Sequence, residues 1–226
     1  LAVNTRYYFR VKARNGAGVE TAVVYLPVTA TSARAAIGAA FTAATPTSLV
    51  ANWALADGNP AGTEYSAQRA ANADFTQGFE SSGWTTAHSA AFSGLSPNTR
   101  YYVRVAARNV DGVATAATDL PATATLAQAP SAVSVLSVSY SSITVQWTPA
   151  ATAASGYRLE ACLRSDFTPP LLSNSVIGSA ASRLSVDQLA LNTTYYLRVA
   201  ALNADGAANF IAAGSTCTFY ASAASQ

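Results

Sequence analysis

The chain contains few residues of the types that perform catalysis. His88 is its only histidine, so a Ser-His-Asp triad would have to include it. No Gly-x-Ser-x-Gly motif accompanies this residue, and it stands in the small polar segment 85–89. We therefore expect His88 to be an exposed loop residue rather than a catalytic base.

The carboxylates show no catalytic or metal-binding pattern either. The 11 acidic residues are scattered, whereas a glycosidase needs two carboxylates that face each other across a cleft. Asp111 and Asp205 each precede a glycine, which is typical of a turn, and the segments 74–76 and 166–168 share the sequence Asp-Phe-Thr. The sequence predicts no catalytic residue, no cofactor and no metal site.

Composition excludes two further classes of partner. Charged residues make up 11% of the 226 residues and the net charge is +2, too little to attract nucleic acid at long range. No apolar run approaches the roughly 18 residues of a membrane span, so we expect no membrane insertion. The sequence contains no Met, which suggests processing or a piece of a longer chain.

An internal repeat organises the chain. Tyr7, Tyr101 and Tyr195 follow one another at intervals of 94 residues, and Trp53 and Trp147 keep the same interval. A period of this length matches a small autonomous domain rather than a solenoid unit. The chain is therefore predicted to be an array of domains.

The apolar residues within each repeat alternate with a period of two, which indicates strands with one buried face. Leu49, Ala51 and Trp53 alternate with polar or smaller residues, and Asp-Gly and Ser-Pro-Asn segments separate the runs. The last repeat is predicted to have strand A over 133–138, B over 143–148, C over 157–162, E near 183–186, F over 194–203 and G over 211–220.

These features resemble tandem fibronectin type III domains. The resemblance rests on the strand-B tryptophan and on the pattern Leu-x-Pro-x-Thr-x-Tyr-x-Val-x-Val, which 95–105 matches fully and which 189–199 and 1–11 match with substitutions. It implies an all-β fold of tandem seven-stranded, immunoglobulin-like β-sandwiches, in which each strand-F tyrosine forms a tyrosine corner. The implied structural residues are Trp53, Trp147, Tyr7, Tyr101, Tyr195, Leu95 and Leu189.

The repeat also sets the expected domain boundaries. Residues 32–126 and 127–220 are predicted to be complete domains, and 221–226 a tail. Residues 1–31 supply only strands F and G, which would leave Tyr7 and Phe9 uncovered. Either the missing strands belong to the same polypeptide outside this sequence, or another chain adds them in a head-to-tail assembly.

The outward face of strand F carries alternating arginine and tyrosine, which can stack on sugars or bases. The alternative is that these long side chains cover the sheet and pair with Glu64, Gln68 or Glu160 on strand C. The candidate ligand-facing residues are Arg100, Tyr102, Arg104, Arg108, Tyr8 and Arg10.

Two cysteines leave the redox state open. Alternation along strand C predicts that Cys162 faces outward, and Cys217 lies late in strand G. Strand F should separate C from G by about 9.5 Å, which exceeds the usual Cα separation in a disulfide. Two free thiols and one intradomain disulfide both remain open.

The predicted function is non-catalytic. The chain resembles the spacer arrays of secreted or surface-anchored bacterial proteins, which implies an extracellular or cell-surface location and an adhesive or structural role, with a protein or glycan as partner. Two alternatives remain: the linker region of a carbohydrate-active enzyme whose catalytic domain lies elsewhere, and a subunit of an extracellular filament or sheath.

Overall fold

The computed structural model describes residues 1–38, 40–152 and 154–220 and consists of β-strands, turns and loops. The described residues form no helix long and apolar enough to cross a bilayer. Contacts divide the chain into two compact units that do not follow the sequence repeats. The first contains 1–43, 49–92 and 101–122, and the second contains 44–48, 93–100 and 123–226.

The N-terminal segment forms two short antiparallel ladders. Its strands are β1 (Arg6–Tyr7), β2 (Arg10–Val11), β3 (Val24–Tyr25) and β4 (Thr29–Ala30). Strand β1 pairs with β4 and β2 pairs with β3. The sequence predicts one continuous strand F here, but the strand is interrupted, and the Phe9 between its two parts is 38% exposed.

The middle repeat is a sandwich of two antiparallel sheets. The strands are β5 (Ala40–Ala44), β6 (Ser48–Asn52), β7 (Glu64–Ala70), β8 (Glu80–Ser81), β9 (Ser89–Ser93), β10 (Arg100–Arg108), β11 (Thr118–Asp119) and β12 (Thr123–Ala124). One sheet has the order β5-β6-β9 and the other β11-β10-β7-β8, with β12 also on β10. The alternation along β10 holds as expected, because Tyr101, Val103 and Val105 are buried.

The last repeat has the seven strands of the expected immunoglobulin-like sandwich. They are β13 (Ser131–Val138), β14 (Ile143–Thr148), β15 (Gly156–Cys162), β16 (Leu171–Ile177), β17 (Arg183–Val186), β18 (Thr194–Leu202) and β19 (Ala208–Cys217). One sheet has the order β13-β14-β17 and the other β16-β15-β18-β19. Strand G was expected over 211–220, but it begins three residues earlier and ends at Cys217.

Each sandwich core is built around one tryptophan and one tyrosine from the facing sheet. The Trp53 ring lies 5.9 Å from that of Tyr65, and the Trp147 ring lies 5.1 Å from that of Tyr157. Alanine fills many of the other inward positions, such as Ala67 and Ala201. These aromatic pairs therefore supply a large share of the apolar area that each core removes from water.

Strand β15 approaches its neighbour β16 closely at Gly156. A Cβ at Gly156 would clash with the backbone carbonyl oxygen of Val176 on the neighbouring strand and lie 3.3 Å from the Cα of Ile177. Both neighbours are held in the β15–β16 ladder, so neither can move aside cheaply. We expect Gly156→Ala to lower the free energy of unfolding by about 1–3 kcal/mol.

The matched control is Gly16→Ala, because a Cβ at Gly16 would meet no atom within 4 Å. Urea unfolding of both variants should show a loss for Gly156→Ala alone. Equal midpoints would contradict the close approach of β15 and β16.

Candidate functional site

The strand-F arginines of the middle repeat are engaged by neighbouring side chains. Arg104 Nε donates to Gln68 Oε1 at 2.7 Å, and the guanidinium carbon lies 4.1 Å from the Phe75 ring centroid. Arg108 Nε donates to Glu64 Oε2 at 2.6 Å, and its guanidinium carbon lies 4.7 Å from the Trp84 ring centroid. Each guanidinium thus has one edge bonded and one face covered.

The last repeat builds the same arrangement. Arg198 Nε donates to Glu160 Oε2 at 2.7 Å, and its guanidinium carbon lies 4.1 Å from the Phe167 ring centroid. The Phe210 ring centroid is 4.0 Å from the same carbon. Both Phe75 and Phe167 come from the Asp-Phe-Thr segments, so these turns supply the rings that cover the strand-F arginines.

The remaining stripe residues are distributed differently. Arg100 pairs with Asp205, and Tyr102 is half-buried. Tyr8 is 77% exposed and lines a shallow pocket with Phe9, Arg10 and Tyr25. The structure therefore does not bring the six candidate residues together in one ligand-facing patch, and a ligand for them stays a prediction.

Tyr7 and Tyr195 form the hydrogen bond that defines a tyrosine corner. The Tyr7 hydroxyl accepts from the Ala2 N–H at 2.6 Å, and the Tyr195 hydroxyl accepts from the Ala190 N–H at 3.0 Å. Tyr101 is buried at the equivalent position. Leu95 and Leu189 are also buried, and each donates its N–H to a backbone carbonyl in the turn between strands A and B.

A polar cluster that the sequence analysis missed lies in the middle repeat. The Tyr65 hydroxyl donates to Asp57 Oδ2 at 2.5 Å, and Asn59 Nδ2 donates to the same oxygen at 2.8 Å. His88 was expected to be an exposed loop residue, but it is half-buried, with its ring 4.8 Å from that of Tyr65. His88 does lie in the expected loop before β9, but the aromatic side chains of the core cover part of it, so it is not fully exposed.

Burial and hydrogen bonding shift two pKa values in this cluster. Burial raises the pKa of Tyr65 to about 12, and the hydrogen bond to Asp57 adds to the rise. Burial acts to raise the pKa of Asp57 as well, but hydrogen bonds from Tyr65 and Asn59 outweigh it and hold this pKa below its usual value. The cluster therefore keeps a neutral phenol bound to a carboxylate, which is a structural rather than a nucleophilic arrangement.

The cysteines are both free. Cys162 was expected to face outward, but it is buried beneath the turn that follows strand C, with its thiol 3.4 Å from the Thr168 carbonyl oxygen. Cys217 is exposed on β19, and β18 lies between the two strands. No group of three or more histidine, cysteine, aspartate or glutamate residues within 1–38, 40–152 and 154–220 could hold a metal ion.

We predict that Tyr195→Phe destabilises the last repeat by about 1–3 kcal/mol, because the Ala190 N–H loses its acceptor. The matched control is Tyr196→Phe, whose ring is 37% exposed on the opposite face of the strand. Thermal unfolding should show a lower midpoint for the first variant only. Equal midpoints would contradict a structural role for this corner.

We also predict a loss of stability in alkali that depends on Tyr65. Its folded pKa of about 12 exceeds the ordinary value near 10, so the unfolded state releases the proton first. The stabilisation is complete below about pH 10 and is lost as the pH rises through about 12, amounting to roughly 2–3 kcal/mol.

Urea unfolding between pH 9 and 12 measures this effect. Tyr65→Phe should flatten the decline, whereas the control Tyr25→Phe should not, because Tyr25 is 75% exposed. An unchanged slope in Tyr65→Phe would contradict the assignment.

Comparison with known proteins gives a family. The model of the fibronectin type III domain matches residues 37–122 and 128–212. No curated protein matches the chain. A two-domain fibronectin type III segment of chicken tenascin is 17% identical, covers 80% of this chain and 98% of its own, and has a TM-score of 0.45.

The FN1–FN3 domains of chicken CNTN1 are also 17% identical, with coverage of 95% of this chain and 75% of theirs and a TM-score of 0.44. The family model spans more than half of the chain, in two consecutive copies that coincide with the two sandwiches. The chain therefore belongs to the fibronectin type III family and contains two tandem domains of it.

Proposed function

We propose that the chain is a non-catalytic spacer array of a secreted or cell-surface protein, which holds other modules apart or joins them. The observation that carries the proposal is the internal pairing of the strand-F face. The guanidinium groups of Arg104, Arg108 and Arg198 each donate to a strand-C side chain and lie against an aromatic ring of the same repeat. Such a face protects and solubilises a sheet, which is what a spacer needs.

Fibronectin type III domains are commonly structural or adhesive modules of extracellular proteins. Two features support the same role here. Asp57 and Tyr65 are buried and hydrogen-bonded to each other, and the half-buried His88 packs against the Tyr65 ring. The sandwiches are independent in topology, since each has its own pair of sheets and its own tryptophan.

A force experiment tests the proposed role. The full chain, pulled from its two ends, should unfold in two steps, each releasing about 30 nm of chain from a sandwich of some 94 residues. In parallel, screens with glycoside, ester and peptide substrates should show no turnover. Turnover abolished by a single substitution within 32–220 would overturn the proposal.

Light scattering on the purified chain separates the spacer from the filament alternative. A spacer should remain at 23.2 kDa over a wide concentration range. A filament or sheath subunit, including one assembled head to tail through the exposed Phe9 and Tyr25, should instead grow in mass with concentration. Growth in mass that the variant Phe9→Ser abolishes would replace the spacer by that alternative.

A further inference from the structure

The same set of hydrogen bonds occurs twice, 94 residues apart, and each time it joins the start of one strand F to the F–G turn of the next repeat. We call each occurrence a joint set. The first contains Asn4, Arg6, Ala30, Thr31, Asn109, Val110 and Asp111, and the second contains Asn98, Arg100, Ala124, Thr125, Asn203, Ala204 and Asp205. Each joint set lies inside one of the two compact units.

The carboxylate of each joint set accepts from two groups. Asp111 Oδ1 accepts from Arg6 Nε at 3.0 Å, and its Oδ2 accepts from the Ala30 N–H at 2.8 Å. In the second joint set Asp205 pairs with Arg100, and its Oδ2 accepts from the Ala124 N–H at 2.7 Å. Ala30 and Ala124 both lie on the last strand of their repeat, so the aspartate of the following repeat caps that strand.

Two asparagines complete the contact in opposite directions. Asn98 Oδ1 accepts from the Ala204 N–H at 2.6 Å, and Asn203 Nδ2 donates to the Thr125 carbonyl oxygen at 3.1 Å. The first joint set repeats both bonds, because Asn4 Oδ1 accepts from the Val110 N–H at 2.7 Å and Asn109 Nδ2 donates to the Thr31 carbonyl oxygen at 3.2 Å.

Burial indicates which of these bonds matters most. The side chains of Arg100 and Asp205 are 49% and 30% exposed, and exposed ion pairs contribute little. Asn203 is only 2% exposed, so breaking its bonds would leave buried polar groups without partners. The asparagines and the capped N–H groups therefore contribute most of the stability of the contact, and the exposed ion pair contributes little.

The middle repeat contributes one residue to each ion pair, its aspartate to the first joint set and its arginine to the second. Ala17 stands 94 residues before Asp111, so the first repeat lacks the carboxylate, and Thr194 stands 94 residues after Arg100, so the last repeat lacks the cation. Only the middle repeat carries both Arg100 and Asp111. Arg6 and Arg100 thus each pair with an aspartate of the following repeat.

We propose that each joint set is a docking surface for the F–G turn of the next repeat of the same chain, and that it couples the stability of consecutive repeats. The following repeat completes the last strand of the preceding one by capping its outward N–H and C=O groups. The proposal concerns the joints of the array and does not depend on where the protein works.

Amide hydrogen exchange measured by NMR on the full chain tests this coupling. Asp205→Ala should speed the exchange of the Ala124 N–H by at least about tenfold, because that group loses its acceptor. The Ala30 N–H should exchange as before, because the joint set around Asp111 is intact. Asp111→Ala should give the mirror-image result.

A second pair of variants keeps the test independent of the ion pair. Asn98→Gly removes the side chain while tolerating the positive φ of 48° at this position, and should expose the Ala204 N–H to exchange. Asn192→Gly is the matched control, with the same φ of 48° and no joint set around it. It should leave the Ala204 N–H protected.

Selective loss of protection at the capped amides supports the proposal. Unchanged exchange at Ala124 in Asp205→Ala would overturn it, and so would equal acceleration at Ala124 and Ala30, which would show a general loss of stability. Should Asp205→Ala fail to fold, Asn98→Gly decides the question at the Ala204 N–H, and unchanged protection of that group would overturn the proposal.

Discussion

Each sandwich depends on the contact between the strand-B tryptophan and the strand-C tyrosine of the opposite sheet. Many of the other buried side chains are alanine or valine, which bury less apolar surface than these aromatic rings. Trp53 and Trp147 therefore determine where the two sheets meet, and the inward residues of strand F close the core around them. Both indole Nε1 atoms are buried and have no partner among the described residues, so these tryptophans act through packing.

Sequence alone was sufficient for features that depend on local alternation. Strand β14 spans the expected 143–148 and β17 spans the expected 183–186, because apolar and polar residues alternate there without interruption. The all-β class and the tandem sandwiches were confirmed for the same reason. Strand β16 was missed, since its exposed and half-buried residues follow no alternation.

The unexpected burial of Cys162 and His88 has one physical cause, which is that residues outside their own strand or loop cover each side chain. Cys162 follows the alternation of strand C, yet the turn that contains Thr168 folds over the outer face and buries it. His88 lies in a polar segment, yet the Tyr65 ring packs against it because Asp57 holds that tyrosine in place. A period of two indicates which face a residue occupies but not what lies above that face.

The residues that recur at the 94-residue interval include exposed turn residues as well as core residues. A period preserved only for core packing would keep Trp53, Tyr101 and their counterparts and leave the exposed turns free to vary. Asn98, Arg100 and Asp205 instead keep both their types and their bonding pattern at the two joints, although none of the three is fully buried. Where packing does not demand a residue, a repeated hydrogen-bond pattern points to a repeated neighbour, and here that neighbour is the next repeat of the chain.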